Sequence, residues 1–147
     1  MFKVCVPATS ANLGPGFDSL GLALNIYGQF IFEESSSSDT DHLTMKAYRR
    51  ALEWMGVKGP DLHVYTPEAI PIGKGLGSSA ACIVAGVLAA QHISGGNISK
   101  HEILKMATAI EGHPDNVAPA IFGGLVSSGM RGDDVFAGKL SLSDKLS

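Results

Sequence analysis

The sequence is short of charged residues, of clustered basic residues and of long apolar runs. Charged residues make up 17% of the 147 residues and hydrophobic residues 45%, a balance typical of a packed globular chain rather than a disordered one. Lys and Arg number 11 against 14 Asp and Glu and do not cluster, which argues against a nucleic-acid partner. No run approaches the ~20 apolar residues of a membrane span. We predict one domain that binds neither nucleic acid nor membrane.

Cysteine is also scarce. Cys5 and Cys82 are the two cysteines, and both lie in apolar contexts, the first in a predicted strand and the second in a predicted helix. They predict buried free thiols of a reducing compartment rather than a disulfide. The N-terminus lacks a basic region followed by a long apolar run, so no secretory signal is predicted. These absences together predict a cytoplasmic protein.

Glycine, in contrast, is concentrated in residues 71–81, PIGKGLGSSAA. Gly73, Gly75 and Gly77 alternate with other residues, and an apolar helix-forming run follows. Glycine permits a positive φ and lets a ligand approach the backbone closely, and a helix N-terminus offers N–H groups to an anion. The stretch therefore predicts a phosphate-binding loop. It fits neither the Walker A pattern nor the dinucleotide fingerprint, and a simple strand-to-helix turn remains the alternative.

Two further segments place ionisable and hydrogen-bonding residues next to apolar runs. They are residues 7–18, PATSANLGPGFD, and residues 111–124, EGHPDNVAPAIFGG. The second puts two carboxylates, an imidazole and an amide within six positions. Such clusters beside buried segments favour a site over a solvated loop.

Taken in order, the three segments resemble the three motifs of the GHMP kinases (galactokinase, homoserine kinase, mevalonate kinase and phosphomevalonate kinase). Within that superfamily they are most similar to the motifs of homoserine kinases. The resemblance implies an α+β fold, the GHMP kinase N-terminal domain of the ribosomal protein S5 domain 2-like type, with a mixed sheet packed against helices. It also implies ATP-dependent phosphorylation of the hydroxyl of L-homoserine, with Mg²⁺ as the metal.

The resemblance assigns the phosphate and metal sites. Asn12 and the glycine loop are expected to bind the ATP phosphates, and Ser79 and Glu111 are expected to ligate Mg²⁺, with Ser78 left open as the hydroxyl ligand in place of Ser79. A solvated position at a helix end is the alternative for Glu111, and a simple turn is the alternative for Asn12. The loop residues are Pro71, Ile72, Gly73, Lys74, Gly75, Leu76, Gly77, Ser78, Ser79, Ala80 and Ala81.

The resemblance also assigns the acceptor site to Asp18, His113 and Asn116. Asn116 stands where other GHMP kinases are understood to have an aspartate base, and an amide cannot take up a proton as a base would. We therefore expect phosphoryl transfer without a dedicated base. A helix cap for Asp18 and a turn for His113 remain the structural alternatives. For Asp115 two interpretations stay open, neutralising a nearby cation and closing a turn.

Residues 129–147 do not fit the resemblance, because they are polar and poorly patterned and the family is about twice as long as this chain. We predict a nucleotide-binding domain over residues 1–128 and a polar tail over residues 129–147, with the C-terminal GHMP domain absent. Two other functions stay open: a non-catalytic module that binds a nucleotide or an amino acid, and a sister kinase for another small alcohol. A homodimer is also left open.

Local patterns place these motifs on four or five strands and three helices. We predict strands over residues 2–6, 20–32, 62–65 and 121–127, with a possible bend at Gly28. We predict helices over residues 41–55, 78–93 and 99–110, the first ending at Gly56 and the last beginning at Ser99 with Glu102 in a capping box. Residues 33–40 predict a mobile loop.

Overall fold

The computed structural model describes residues 1–11, 19–37 and 40–141. In this part of the chain, five strands form one sheet and four helices pack against it. The sequence predicts four or five strands but only three helices. The elements in chain order are β1 (Phe2–Ala11), β2 (Leu20–Glu34), α1 (Leu43–Met55), β3 (Leu62–Tyr65), α2 (Ser78–Ser94), α3 (Lys100–Glu111), α4 (Val117–Phe122), β4 (Leu125–Arg131) and β5 (Asp134–Leu140).

The long strand β2 organises the sheet. It pairs with β1 along one side and with β3 and β4 along the other, and β5 extends the sheet from β4, every pairing being antiparallel. The β1–β2 register runs from Phe2 opposite Phe32 to Ala11 opposite Gly21, with a shift between Pro7 and Thr9. Such a bulge bends a strand locally. Thr9, which follows the bulge near the end of β1, lies against the glycine loop, where its amide donates to the Leu76 carbonyl.

The helix α2 occupies the centre of the helical layer, because it is apolar on nearly every side. It packs against β1 and against the other three helices. Gly86 allows α1 to approach closely, since a Cβ there would overlap the Thr44 carbonyl oxygen and lie 2.8 Å from the Tyr48 amide nitrogen. The Tyr48 hydroxyl donates to the Pro60 carbonyl at 2.9 Å. Burial, with a contribution from Asp61, raises the pKa of Tyr48 to about 12.

The helix ends follow the local signals that the sequence carries. α1 ends at Gly56, which is left-handed with φ 68°. The Ser99 side chain accepts from the Glu102 amide at 3.1 Å and caps α3, as predicted. His42 caps α1 through Nδ1, which accepts from the Thr44 amide at 3.2 Å, so this helix begins two residues after the predicted start. In the described ranges, no helix is long and apolar enough to cross a membrane.

The prediction of a final strand over residues 121–127 is correct only for residues 125–127. Ile121 and Phe122 complete the short helix α4, and the strand begins only at Leu125. Gly123 and Gly124 separate the two elements, both with positive φ (74° and 71°). An apolar run of this length suits a buried helix as well as a strand, so the pattern alone could not separate the two.

The prediction of a polar tail from residue 129 onward does not match the described structure. The boundary at Ser128 falls inside β4, and β5 follows it in a hairpin. Within β5 only Val135 is buried, whereas Phe136 is 57% exposed. A strand with so little buried apolar surface gives a weak sequence signal, because pairing with β4 rather than side-chain burial holds it in place.

Three smaller expectations are also wrong. β2 runs unbroken through Gly28, where a Cβ would lie 3.2 Å from the Ile70 side chain, so close packing explains the glycine better than a bend. β2 continues to Glu34 and takes the first residues of the predicted loop. Both cysteines are free, but Cys5 is exposed and Cys82 only partly buried.

Candidate active site

The three glycines of the predicted phosphate loop adopt the backbone conformation that the sequence predicts. Gly73, Gly75 and Gly77 have φ values of 74°, 69° and 68°, in the region that glycine enters without strain. The Thr9 amide donates to the Leu76 carbonyl at 3.0 Å. The loop is therefore tied to β1 immediately before α2 begins.

The N-terminus of α2 presents backbone donors toward this loop. Gly77 is the N-cap and has no side chain to cap the helix. Its carbonyl accepts from the Ala81 amide at 2.9 Å, so the amides of Ser78, Ser79 and Ala80 precede the first intrahelical hydrogen bond. Amides in this position, together with the helix dipole, stabilise a bound anion.

A cavity of about 510 Å³ opens over the loop. Nine of the eleven predicted loop residues line it, together with Glu111 and Asn116. Lys74, which is exposed, and Ala81, which is buried, are not among the described residues that line it. The structure therefore brings most of the predicted phosphate site and two other predicted residues into one cavity.

The predicted metal ligands are in direct contact. The Ser79 hydroxyl donates to Glu111 Oε2 at 3.0 Å, across 32 residues of sequence. Glu111 is the last residue of α3 and Ser79 lies in the first turn of α2. Among the described residues, no group of three or more His, Cys, Asp or Glu side chains could hold a metal. One hydroxyl and one carboxylate beside an anion site are the donor set of a Mg²⁺ shared with phosphate oxygens and water.

Asn116 is held by Thr9, a residue that the sequence analysis did not single out. Thr9 is fully buried, and its hydroxyl donates to Asn116 Oδ1 at 2.8 Å. This bond uses one of the two lone pairs of the amide oxygen and fixes the orientation of the amide group, whose Nδ2 is a donor. Thr9 lies in the quoted segment 7–18, but its partner is 107 residues away, and no local pattern links the two.

Gly77 is the residue that permits this arrangement. A Cβ on Gly77 would overlap Thr9 Oγ1 and would lie 3.3 Å from Asn116 Oδ1. Gly73 and Gly75 have open space at the corresponding position. Gly77 therefore has two requirements, a positive φ and the close approach of two side chains, whereas the other two loop glycines have only the first.

His113 and Asp115 form a pair next to Asn116. His113 Nδ1 contacts Asp115 Oδ1, and the same oxygen accepts a hydrogen bond from the backbone amide of Asn116 at 3.1 Å. Asp115 is 1% exposed, whereas the His113 side chain is about half exposed. His113 is not among the described residues that line the cavity. The buried Asp115 carboxylate thus orients both His113 and Asn116.

Three other residues complete the cavity wall: His42, Leu43 and Cys82. Cys82 lies one turn along α2 from Ser79, on the same helix face. Burial and the nearby Glu111 carboxylate raise the pKa of the Cys82 thiol, against a lowering contribution from Thr44. The thiol is therefore a neutral wall residue. The predicted site residues Asn12 and Asp18 lie outside the described residues.

The fold and the site together define a class of α+β domain in which a glycine loop leads into the N-terminus of a buried helix beside a cavity. Residues 42–124 match the family model of the GHMP kinases N-terminal domain. The match covers more than half of the chain, and the chain belongs to this family. The predicted fold class is confirmed.

Individual relatives agree with this assignment. The chain is 43% identical over 159 residues to a homoserine kinase of Clostridium botulinum strain Eklund 17B, covering 99% of this chain and 53% of the relative. The solved homoserine kinase of Cytophaga hutchinsonii is 30% identical, with a TM-score of 0.80, covering 96% of this chain and 52% of that one. The Methanococcus jannaschii mevalonate kinase, at 13% identity and a TM-score of 0.75, shares the fold.

The sequence resemblance to homoserine kinases is thus confirmed. The chain spans about half the length of the curated relatives it matches.

A double-mutant cycle tests the Thr9–Asn116 contact. Combining Thr9→Val with Asn116→Ala should reveal a coupling of about 1 kcal/mol in the free energy of unfolding, the usual net value of one hydrogen bond. Denaturant unfolding measures it. Thr9→Ser keeps the hydroxyl donor, so most of the coupling to Asn116 should remain in the serine variant, whereas Thr9→Val should remove it. A coupling near zero for the valine variant would contradict the contact.

Proposed function

We propose that this chain is the nucleotide-binding half of a homoserine kinase, which transfers the γ-phosphoryl group of ATP to the hydroxyl of L-homoserine. One observation carries the proposal: the glycine loop, the Ser79–Glu111 pair and Asn116 all line one cavity. These are the parts that phosphoryl transfer requires, namely a phosphate cradle, a metal site and a group beside the acceptor. The similarity to homoserine kinases supports the choice of acceptor.

The phosphate cradle is the loop and the start of α2. The left-handed glycines turn the backbone without side chains in the way, and the amides of Ser78, Ser79 and Ala80 point out of the helix. In this proposal they bind the β- and γ-phosphate oxygens of ATP.

The metal site is the Ser79–Glu111 pair. A bound Mg²⁺ would neutralise charge on the phosphate oxygens during transfer. The contact between the two side chains already brings a hydroxyl and a carboxylate to the same point beside the helix N-terminus. Ser79 rather than Ser78 is therefore the proposed hydroxyl ligand.

Asn116 is the proposed group beside the acceptor hydroxyl. The Thr9 hydroxyl donates to its amide oxygen and fixes the orientation of the amide group. In this proposal Nδ2 donates to the acceptor hydroxyl oxygen and orients it for in-line attack. The new bond joins the hydroxyl oxygen to the γ-phosphorus as the bond to the bridging β–γ oxygen breaks, and that oxygen leaves with the electron pair as part of ADP. The hydroxyl proton passes to the γ-phosphate or to solvent. Positioning and charge neutralisation carry such a transfer without a base.

Asp18, His113 and Asn12 complete the proposal. The Asp18 carboxylate is assigned to the ammonium group of homoserine and Asn12 to the phosphates. His113, fixed by the buried Asp115, is assigned to the acceptor side next to Asn116. A cytoplasmic location belongs to the same proposal, as does the C-terminal half of the kind that the relatives carry, which would supply the remaining substrate contacts.

A matched pair of glycine variants tests the phosphate cradle. Gly77→Ala should lower the affinity for an ATP analogue at least tenfold, about 1.4 kcal/mol, because the new methyl group displaces Thr9 or the loop. Gly75→Ala introduces the same left-handed strain in open space and should cost clearly less. Titration calorimetry measures both. Equal losses of affinity for the two variants would show that the close approach of Gly77 to Thr9 does not contribute to nucleotide binding.

The metal assignment makes a separate prediction. Glu111→Gln keeps the size of the side chain but removes its charge, so nucleotide binding should weaken in the presence of Mg²⁺ and change little with EDTA. Glu102→Gln serves as the control, since it removes a carboxylate from the same helix outside the cavity. Equal effects of Glu111→Gln with and without Mg²⁺ would exclude it as a ligand.

The reaction itself is tested with ATP and three alcohols: homoserine, mevalonate and galactose. The 147-residue chain alone should show no appreciable phosphorylation of any of them. A chimera that joins the chain to the C-terminal half of the Clostridium botulinum relative should phosphorylate homoserine in preference to the other two.

Two controls decide whether this chain supplies the chemistry. Asn116→Ala in the chimera should lower kcat while leaving nucleotide binding intact. Complete loss of kcat with intact substrate binding would show that Asn116 does more than orient the acceptor hydroxyl. Rapid turnover by the purified monomeric chain, or equal turnover of all three alcohols by the chimera, would contradict the proposed function.

A further inference from the structure

A second cavity, also of about 510 Å³, lies apart from the nucleotide cavity, and the two share no lining residue. We call it the β1 groove. The strands β1 and β2 and the helices α2, α3 and α4 all contribute to it, and most of its lining side chains are apolar. They include Cys5, Pro7, Tyr27, Leu88, Ile98 and Phe122.

The groove adjoins a strand that has no partner on its outer side in the described structure. β1 pairs with β2 alone, so it forms an edge of the sheet. Cys5 is exposed and Tyr27 is 50% exposed in this region. An exposed apolar groove beside an open sheet edge is the kind of surface that proteins normally cover.

The end of β5 lies next to Gly123, one of the residues that line the groove. Leu140 pairs with Leu125, directly after the two glycines that follow α4. The Lys139 side chain packs over Gly124, where a Cβ would lie 2.8 Å from Lys139 Cε, and Gly123 lines the groove. β5 therefore ends beside the part of the groove that Gly123 lines.

Charge at this wall adds a requirement for the occupant. Lys100 lines the groove, with Nζ 5.9 Å from the centre of the Phe122 ring. Lys139 Nζ lies about 4.0 Å from the point where a Cβ on Gly123 would be. Two cations at the rim of an apolar groove favour an apolar surface bordered by carboxylates or by the carbonyl end of a helix.

We propose that the β1 groove is the docking surface for a C-terminal half of the kind that the relatives carry. Those relatives are about twice as long as the matched region, and β5 ends beside the groove. Docking there buries Cys5 and Tyr27 and covers the outer side of β1. The proposal concerns assembly of the two halves and does not depend on which alcohol the enzyme phosphorylates.

The Cys5 thiol reports on docking directly. In the 147-residue chain Cys5 should react rapidly with a maleimide, whereas Cys82, which is partly buried, should react slowly. In chimeras that append the C-terminal half of the Clostridium botulinum or the Cytophaga hutchinsonii relative, Cys5 should react at least tenfold more slowly and Cys82 about as before. Two different relatives guard against a junction that fails to fold.

Adjacent residues of β2 provide a matched pair of variants. Tyr27→Glu places a charge in the groove, whereas Ile26→Glu changes a residue that is equally exposed, at 49%, but does not line the groove. In the chimeras, Tyr27→Glu should restore rapid reaction of Cys5, and Ile26→Glu should leave it protected. Thermal unfolding of the unfused variants confirms that both still fold.

Three results would overturn the proposal. The first is a folded chimera in which Cys5 reacts as fast as in the chain alone. The second is equal loss of protection in the Tyr27→Glu and Ile26→Glu chimeras. The third is a concentration-dependent protection of Cys5 in the unfused chain that the appended half does not increase, because the occupant would then be a second copy of the chain. None of these readouts requires catalysis, so failure here is distinct from failure of the proposed function.

Discussion

The close approach of Gly77 to Thr9 and Asn116 is the constraint on which the site depends. At this point the end of β1, the glycine loop and the turn before α4 meet, and there is no room for a Cβ between them. The Thr9 amide fixes the loop through Leu76, and the Thr9 hydroxyl fixes Asn116. One buried residue therefore sets the distance between the phosphate cradle and the group proposed to act on the acceptor.

The helix α2 serves the core and the site at the same time. Its middle is buried on nearly every side, and Gly86 lets α1 pack against it at short range. This packing fixes the direction of the helix axis, and thus where its N-terminal amides point. The same rigid packing of α2 against α3 places Ser79 at Glu111. Such preorganisation would lower the entropic cost of orienting the proposed nucleotide, because the donors are held in position before any ligand binds.

Polar satisfaction explains the remaining residues of the third motif. Asp115 is a buried carboxylate, which would be costly without partners. Its Oδ1 accepts a hydrogen bond from the backbone amide of Asn116 and contacts His113 Nδ1. Its backbone carbonyl lies against Gly21, where a Cβ would overlap the carbonyl oxygen. The turn that presents Asn116 is thus fixed from three sides. His113 contributes to this support through Asp115 and does not line the cavity.

The sequence by itself determined those features whose causes are local. Left-handed turns at Gly73, Gly75 and Gly77, the stop at Gly56 and the cap at Ser99 each depend on a few neighbouring residues, and each was predicted. The order of the three motifs likewise identified the family. In these cases the backbone preference of one residue, or one hydrogen bond within a turn, is enough to decide the structure.

Only the tertiary structure decided the features that depend on distant partners. Val117–Phe122 is a helix and Asp134–Leu140 a strand because packing and pairing outweighed weak local patterns. Cys5 is exposed because β1 lies at an edge of the sheet. The Thr9–Asn116 bond joins residues 107 positions apart. Contacts across such separations exist only once the sheet and helices have packed, so no stretch of sequence contains them.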